Sequence, residues 1–360
     1  MPMGTPSPQA DVLSLLVYGF AFFFFQGKAW PLLCLLFGYS LQSIALQLHY
    51  RGLSVRAGLR SRYWKLLLIG IAHGLLIYFG DVLTIYAIAG LIATRWAASH
   101  GANRIKASRL LRVWKWFLAA SILVILFIVL VSIGIAQEAA LKPVLFSQTT
   151  GWYEFFKLNA TYYGYVAMSS ASVYLPFYAW LTLSGMLCWR FRLLGTRHFS
   201  QRFWRGHLGM VQLAASSLIN ALLMAYALHS FYGGSSEGEL VFLASLAIAP
   251  NVWWVACCLA WFMRRTNSLR APVLLWLVSA GRYSLLMYIG LSMSLMLGVS
   301  PVLGGPLTSL FEHTALAFAV LVGAWFVAVC LARAAALLGL RDPISGWLGS
   351  SHRRIQQKAG

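Results

Sequence analysis

Apolar residues in this chain come in long uninterrupted runs, without the alternation of a half-buried strand or the one-sided stripe of a surface helix. Runs long enough to cross a bilayer, at about 20 mostly apolar residues each, fall at 29–48, 63–79, 82–98, 114–136, 166–189, 207–229, 240–263, 273–298 and 313–338. The run at 12–26 (VLSLLVYGFAFFFFQ, preceded by Asp11) is shorter and is closed by Gly27 and Lys28, which suits a short interfacial helix. Only Gly80 and Asp81 separate the second and third spans, so those two must form a tight hairpin. The pattern predicts an all-α polytopic membrane bundle of about nine transmembrane helices. A single transmembrane domain fills 1–350, followed by a basic tail at 351–360. Pro176 and Pro250 are expected to kink their helices, and the aromatic-rich stretch 137–165 reads as the longest outer loop.

Composition supports the same class. Hydrophobic residues make up 60% and charged residues 10% of the chain, well short of the ~25% charged residues of a soluble domain. The formal charge of +20 would suit a nucleic-acid binder only if the basic residues were gathered in a groove or stripe. They sit instead in short connections between spans, so no nucleic-acid partner is expected. The loops at 49–65, 95–115, 190–206 and 264–270 are basic, whereas Asp81, Glu138, Glu154, Glu237, Glu239 and Glu312 mark the intervening ones. Cytoplasmic loops retain Lys and Arg, so this alternation places the C-terminus inside and the N-terminus outside, in a bacterial inner membrane. No basic residue precedes Lys28, so a cleavable signal peptide is not expected, and an outer N-terminus suggests that a preceding helix is missing from the chain. Cys34, Cys188, Cys257, Cys258 and Cys330 lie inside apolar runs and read as small packing residues, with no metal-ligand spacing.

Polar side chains inside a bilayer are costly, so each is a candidate for function. His73 is the clearest. Eleven residues beyond Arg62, it lies roughly 16 Å into the membrane along a helix, close to the midplane. Imidazole is suited to proton transfer near neutral pH, but a histidine there can equally serve as packing glue. Asp81 is well placed to cap the helix that begins at Val82, or to orient His73. Eight residues, about 12 Å along an ideal helix, separate the two, so direct contact requires the turn to fold back. Gln212, Asn220 and Asn251 are read as interhelical hydrogen-bonding groups, and Arg282 as an interfacial anchor.

Four stretches resemble the YeiB-like family of bacterial membrane proteins, part of a transmembrane acyltransferase superfamily that includes heparan-α-glucosaminide N-acetyltransferase. They are QGKAWPLLCLLFGYSL (Gln26 to Leu41), RSRYWKLLLIGIAHGLLIYFGDVLTIYAIAGL (Arg60 to Leu91), LTLSGMLCWRFRLLG (Leu181 to Gly195) and GRYSLLMYIGLSMS (Gly281 to Ser294). The second is the most specific, and the resemblance runs over about residues 20 to 350. The family's first helix is absent, Met287 and Ser292 stand where Asn and Gln are usual, and its closing motif is reduced to DPISGWLG (Asp342 to Gly349). The resemblance implies transfer of an acyl group from cytoplasmic acetyl-CoA, or another acyl-CoA, to a hydroxyl or amine outside. The acceptor would be a glycan, lipid-linked sugar or secondary metabolite. It further implies His73 as the catalytic residue, supported by Asp81, and Arg62, Arg60 and Arg56 as contacts for the CoA phosphates, with no metal. Two rivals from other classes are a transporter or flippase of a small or lipidic substrate and a non-catalytic membrane partner.

Overall fold

The computed structural model describes residues 17, 20, 23, 24, 28–97, 107–134, 151–169, 171, 174–193, 210–232, 237–265, 271–299, 314–340 and 342–349. Among the described residues the chain is helical and contains no strand. The helices are α1 (Ala29–Tyr50), α2 (Val55–Leu76), α3 (Leu83–Ala93, continued by a 3₁₀ turn Thr94–Trp96), α4 (Ala107–Gly134) and α5 (Trp152–Ser169). They continue with α6 (Leu175–Arg190), α7 (Met210–Tyr232), α8 (Glu237–Arg265), α9 (Ala271–Arg282), α10 (Ser284–Val299), α11 (Thr314–Leu337) and the short α12 (Pro343–Gly349).

Three helical stretches, Trp30–Tyr50, Ser108–Ile128 and Phe318–Leu337, are long and apolar enough to cross a membrane. Shorter apolar helices cover Leu83–Trp96, Met210–Tyr226, Ala247–Phe262 and Ser284–Ser294. Only 6% of the most apolar window in Ser108–Ile128 and 11% of that in Phe318–Leu337 is buried inside the protein. Faces such as Leu123, Leu126 and Phe127 on α4, or Trp325 and Phe326 on α11, are therefore solvated by lipid rather than water. This is a membrane protein of apolar helices.

The tightest packing lies among α1, α2, α3 and α6. The backbone of α1 at Gly38 meets the Thr182 carbonyl of α6, and Gly185 of α6 meets the Leu35 carbonyl of α1. A methyl group at either glycine would overlap the facing backbone, which is how small residues let membrane helices approach closely without a hydrophobic driving force. Nearer the start of both helices Trp30 packs on Phe177 and Tyr178, so α1 and α6 run parallel. Around this contact Leu41, Ala45, Leu59, Tyr63, Leu110, Leu183 and Met186 form the buried core. At the far end, α12 docks against α2. Lys65 donates to the Trp347 carbonyl (2.7 Å) and lies 4.9 Å from that indole, while Asp342 accepts from the Ile344 N–H (3.0 Å) and starts α12.

Several expectations change. The stretch 152–165 is not loop but most of helix α5, and the span expected at 166–189 is shared between α5 and the 16-residue α6. Pro176 follows closely on a π-helical turn at 171 and 174. It occupies the first turn of α6, where the missing N–H would have had no intrahelical partner. Pro250 does lie inside α8. The run 273–298 makes two short helices divided at Tyr283, whose buried side chain donates to the Leu340 carbonyl beyond α11. Arg282 consequently ends α9 and is exposed, in keeping with an anchor. Helix α2 starts at Val55, earlier than the apolar run, because Ser54 accepts from the Ala57 N–H as its N-cap. The tail 351–360, most of 12–26 and the Glu138 and Glu312 connections lie outside the described residues.

Candidate active site

Helix α2 ends one turn after His73, and the chain then doubles back. The carbonyl of His73 accepts from both Ile77 and Tyr78 N–H groups (2.9 and 3.0 Å), which tightens the last turn. Helix ends leave carbonyls without intrahelical partners, a serious cost in lipid. Here Asn159 of α5 supplies them. Its Nδ2 donates to the carbonyls of Gly74 and Leu75, each at 2.8 Å, and its Oδ1 accepts from the Phe79 N–H at 2.9 Å. One buried amide thereby stitches the end of α2, the turn and α5 together. Gly74 allows the approach: a Cβ there would overlap the Tyr163 ring of α5.

The doubled-back turn carries Asp81 onto His73. Nδ1 of His73 lies 3.0 Å from Asp81 Oδ1, with both side chains almost wholly buried. The twelve-ångström separation of a straight helix does not apply, because 77–82 is not helical. Asp81 also caps α3, since its Oδ2 accepts from the Thr84 N–H and hydroxyl, each at 2.8 Å. Capping and orienting, two alternatives from the sequence, are thus divided between the two carboxylate oxygens. The Thr84 hydroxyl spends its proton on the carboxylate, so Tyr163 OH, 2.9 Å away, must donate to Thr84. Tyr288 of α10 lays its ring 4.8 Å from the imidazole, centroid to centroid, with its hydroxyl 3.5 Å from Asp81 Oδ1.

This arrangement fixes the imidazole chemically. With Asp81 as a carboxylate, which only accepts, a neutral His73 donates from Nδ1 and keeps its lone pair on Nε2. Nε2 is buried and has no partner among the described residues. The imidazole is held in register by a carboxylate, itself held by Thr84 and Tyr163, which is the logic of an oriented general base.

Of the arginines, Arg56 and Arg60 are exposed and line a cleft of about 330 Å³ between α2 and the end of α3. Arg62 is not among its lining residues. It lies half-buried, turned about 200° around α2 from Arg60. Gln212 is half-buried and Asn251 buried, on α7 and α8. Asn220 bonds the Ser216 and Pro250 carbonyls (2.8 and 3.2 Å), a link between α7 and α8. Sequence reasoning missed Asn159, Tyr163, Thr84 and Tyr288. The first two stood in a stretch read as loop, although Asn159 and Tyr163, four apart, share a helix face that could have marked them. Among the described residues no three His, Cys, Asp or Glu side chains group as metal ligands do. In comparison with known proteins, the chain matches no family model, and neither a curated protein nor a solved structure is similar to it.

Proposed function

We propose that this chain is a membrane-embedded acyltransferase of the YeiB-like kind, with about nine spans in a bacterial inner membrane and its C-terminus in the cytoplasm. The observation that carries the reading is the buried His73–Asp81 pair, with Nδ1 against the carboxylate and Nε2 without a partner among the described residues. In the reaction, Nε2 takes the proton of an acceptor hydroxyl or amine as that atom attacks the thioester carbonyl of the donor. The tetrahedral intermediate collapses with cleavage of the carbon–sulfur bond, and the departing thiolate recovers the proton from the imidazolium. Asp81 orients the ring and stabilises its cationic form without itself taking a proton.

The donor is a cytoplasmic acyl-CoA, with Arg56 and Arg60 as contacts for its phosphates. His73 lies roughly 20 Å beyond Arg60 along α2, a distance that a thioester on a long flexible arm spans and a bare acyl phosphate does not. The Tyr288 ring covers the imidazole, so the reading requires α10 to shift aside as the donor enters. Parallel α1 and α6 fit the loop-charge topology, in which both run from outside to inside.

The test is incubation of membranes containing the protein with acetyl-labelled CoA, following free CoA and label in acceptor fractions. Wild type releases CoA and labels an acceptor, and His73→Gln inserts normally but loses both. Equal turnover by the two sinks the assignment. Substrate movement across the bilayer without CoA release instead establishes the flippase reading.

A further inference from the structure

The cleft at the basic end of α2 is built from two elements, and half of it comes from the end of α3. Arg56, Arg60 and Trp64 contribute one wall and Leu91, Ile92, Thr94 and Arg95 the other. The Thr94 hydroxyl is buried and turned back onto the Leu91 carbonyl (2.7 Å), which fixes the 3₁₀ turn and with it the place of Arg95. Three guanidinium groups therefore share one concavity, and none of its lining residues is acidic. Like charges gathered without a counter-ion repel, so such a cleft concentrates anions. Guanidinium forks match phosphate oxygens in particular. Leu91 and Ile92 add an apolar surface beside Thr94, and Trp64 is 52% exposed, enough to present a ring face to a ligand.

We infer that this cleft binds an aromatic organic phosphate, with Arg95 joining Arg56 and Arg60 on the phosphate groups and Trp64 stacking a flat base, as in a purine nucleotide. The inference deepens the acyl-transfer reading by assigning the nucleotide end of the donor, and rests on that reading only for the arm that reaches His73. Phosphate on this side of a membrane also comes from anionic lipid headgroups, which share the guanidinium chemistry but bring no base to stack on Trp64.

The test uses the full-length protein in phosphatidylcholine nanodiscs and adenosine 3′,5′-bisphosphate, a probe without an acyl arm, measured by equilibrium dialysis. Because the probe cannot react, binding reads the cleft whether or not His73 catalyses transfer. Arg95→Gln and Arg60→Gln should each weaken binding at least tenfold, and wild-type binding should fall steeply with salt. Trp64→Leu should weaken adenosine 3′,5′-bisphosphate severalfold yet leave ribose 5-phosphate unchanged. Adding phosphatidylglycerol to the nanodiscs should change the wild-type affinity less than twofold. Wild-type affinity in both arginine variants overturns the site. If phosphatidylglycerol displaces the probe and Trp64→Leu has no effect, the cleft belongs to lipid phosphate and the nucleotide assignment is wrong.

Discussion

The helical pairs α2–α3 and α7–α8 are both apolar, both adjacent in sequence and both cross-linked by buried polar groups, yet the links differ in kind. Between α7 and α8 they are neutral. Asn220 reaches the Pro250 carbonyl and the Trp254 indole donates to Ser217 at 3.0 Å, while the Asn251 carbonyl oxygen has no partner among the described residues. Such groups hold helices together and offer no place for a proton to go. Between α2 and α3 the link is an imidazole against a carboxylate, with two further helices recruited to hold it: α5 through Asn159 and Tyr163, and α10 through Tyr288. Polarity in a membrane helix is therefore a weak pointer to chemistry. A titratable group whose one nitrogen is positioned and whose other is bare is a stronger one.

Activity should show the widest gap between the two pairs. His73→Gln removes the base and Asp81→Asn removes the charge that selects its tautomer, so each should lower acyl transfer by ~10²–10⁴. The double variant should be no slower than the worse single one, because the two act as a unit. Independent, multiplying losses in turnover assays would break the dyad. Asn251→Leu on α8, by contrast, should leave turnover within twofold.

Stability comes next. Asn159→Ala strips partners from two carbonyls and one N–H at the end of α2, and at roughly 1 kcal/mol each should lower the unfolding free energy by about 2–3 kcal/mol in detergent. Gly74→Ala forces the Tyr163 ring out of place, and overpacking of this kind costs about 1–3 kcal/mol. Because Tyr163 then releases Thr84, turnover should fall as well, which a purely structural contact would not cause. The smallest effect belongs to Asn220→Ala, at ~0.6 kcal/mol, the average for a hydrogen bond between membrane helices. Equal losses for Asn159→Ala and Asn220→Ala in the same unfolding titration would erase the distinction between the pairs.

The sequence by itself determined that this is a membrane protein of apolar helices and where most of those helices lie. Bilayer thickness and hydrophobic run length are local quantities that can be read along the chain. It also singled out His73, since an ionisable side chain within an apolar run stands out without any knowledge of its neighbours. Tertiary structure decided what surrounds it. The contact between His73 and Asp81 exists because the turn doubles back, and the turn doubles back around an amide 80 residues away from Phe79 in the chain. Asn159 sits among aromatic and polar residues whose composition reads as loop, and packing against α2 buries the one face of that helix that carries Phe155, Asn159 and Tyr163. The division of the arginines has the same origin. Arg56, Arg60 and Arg62 are close in sequence, but a helix advances about 100° per residue, so the first two share the cleft with Arg95 while the third points away from it. Run length follows from the order of residues along the chain, whereas the site depends on contacts between segments far apart in it.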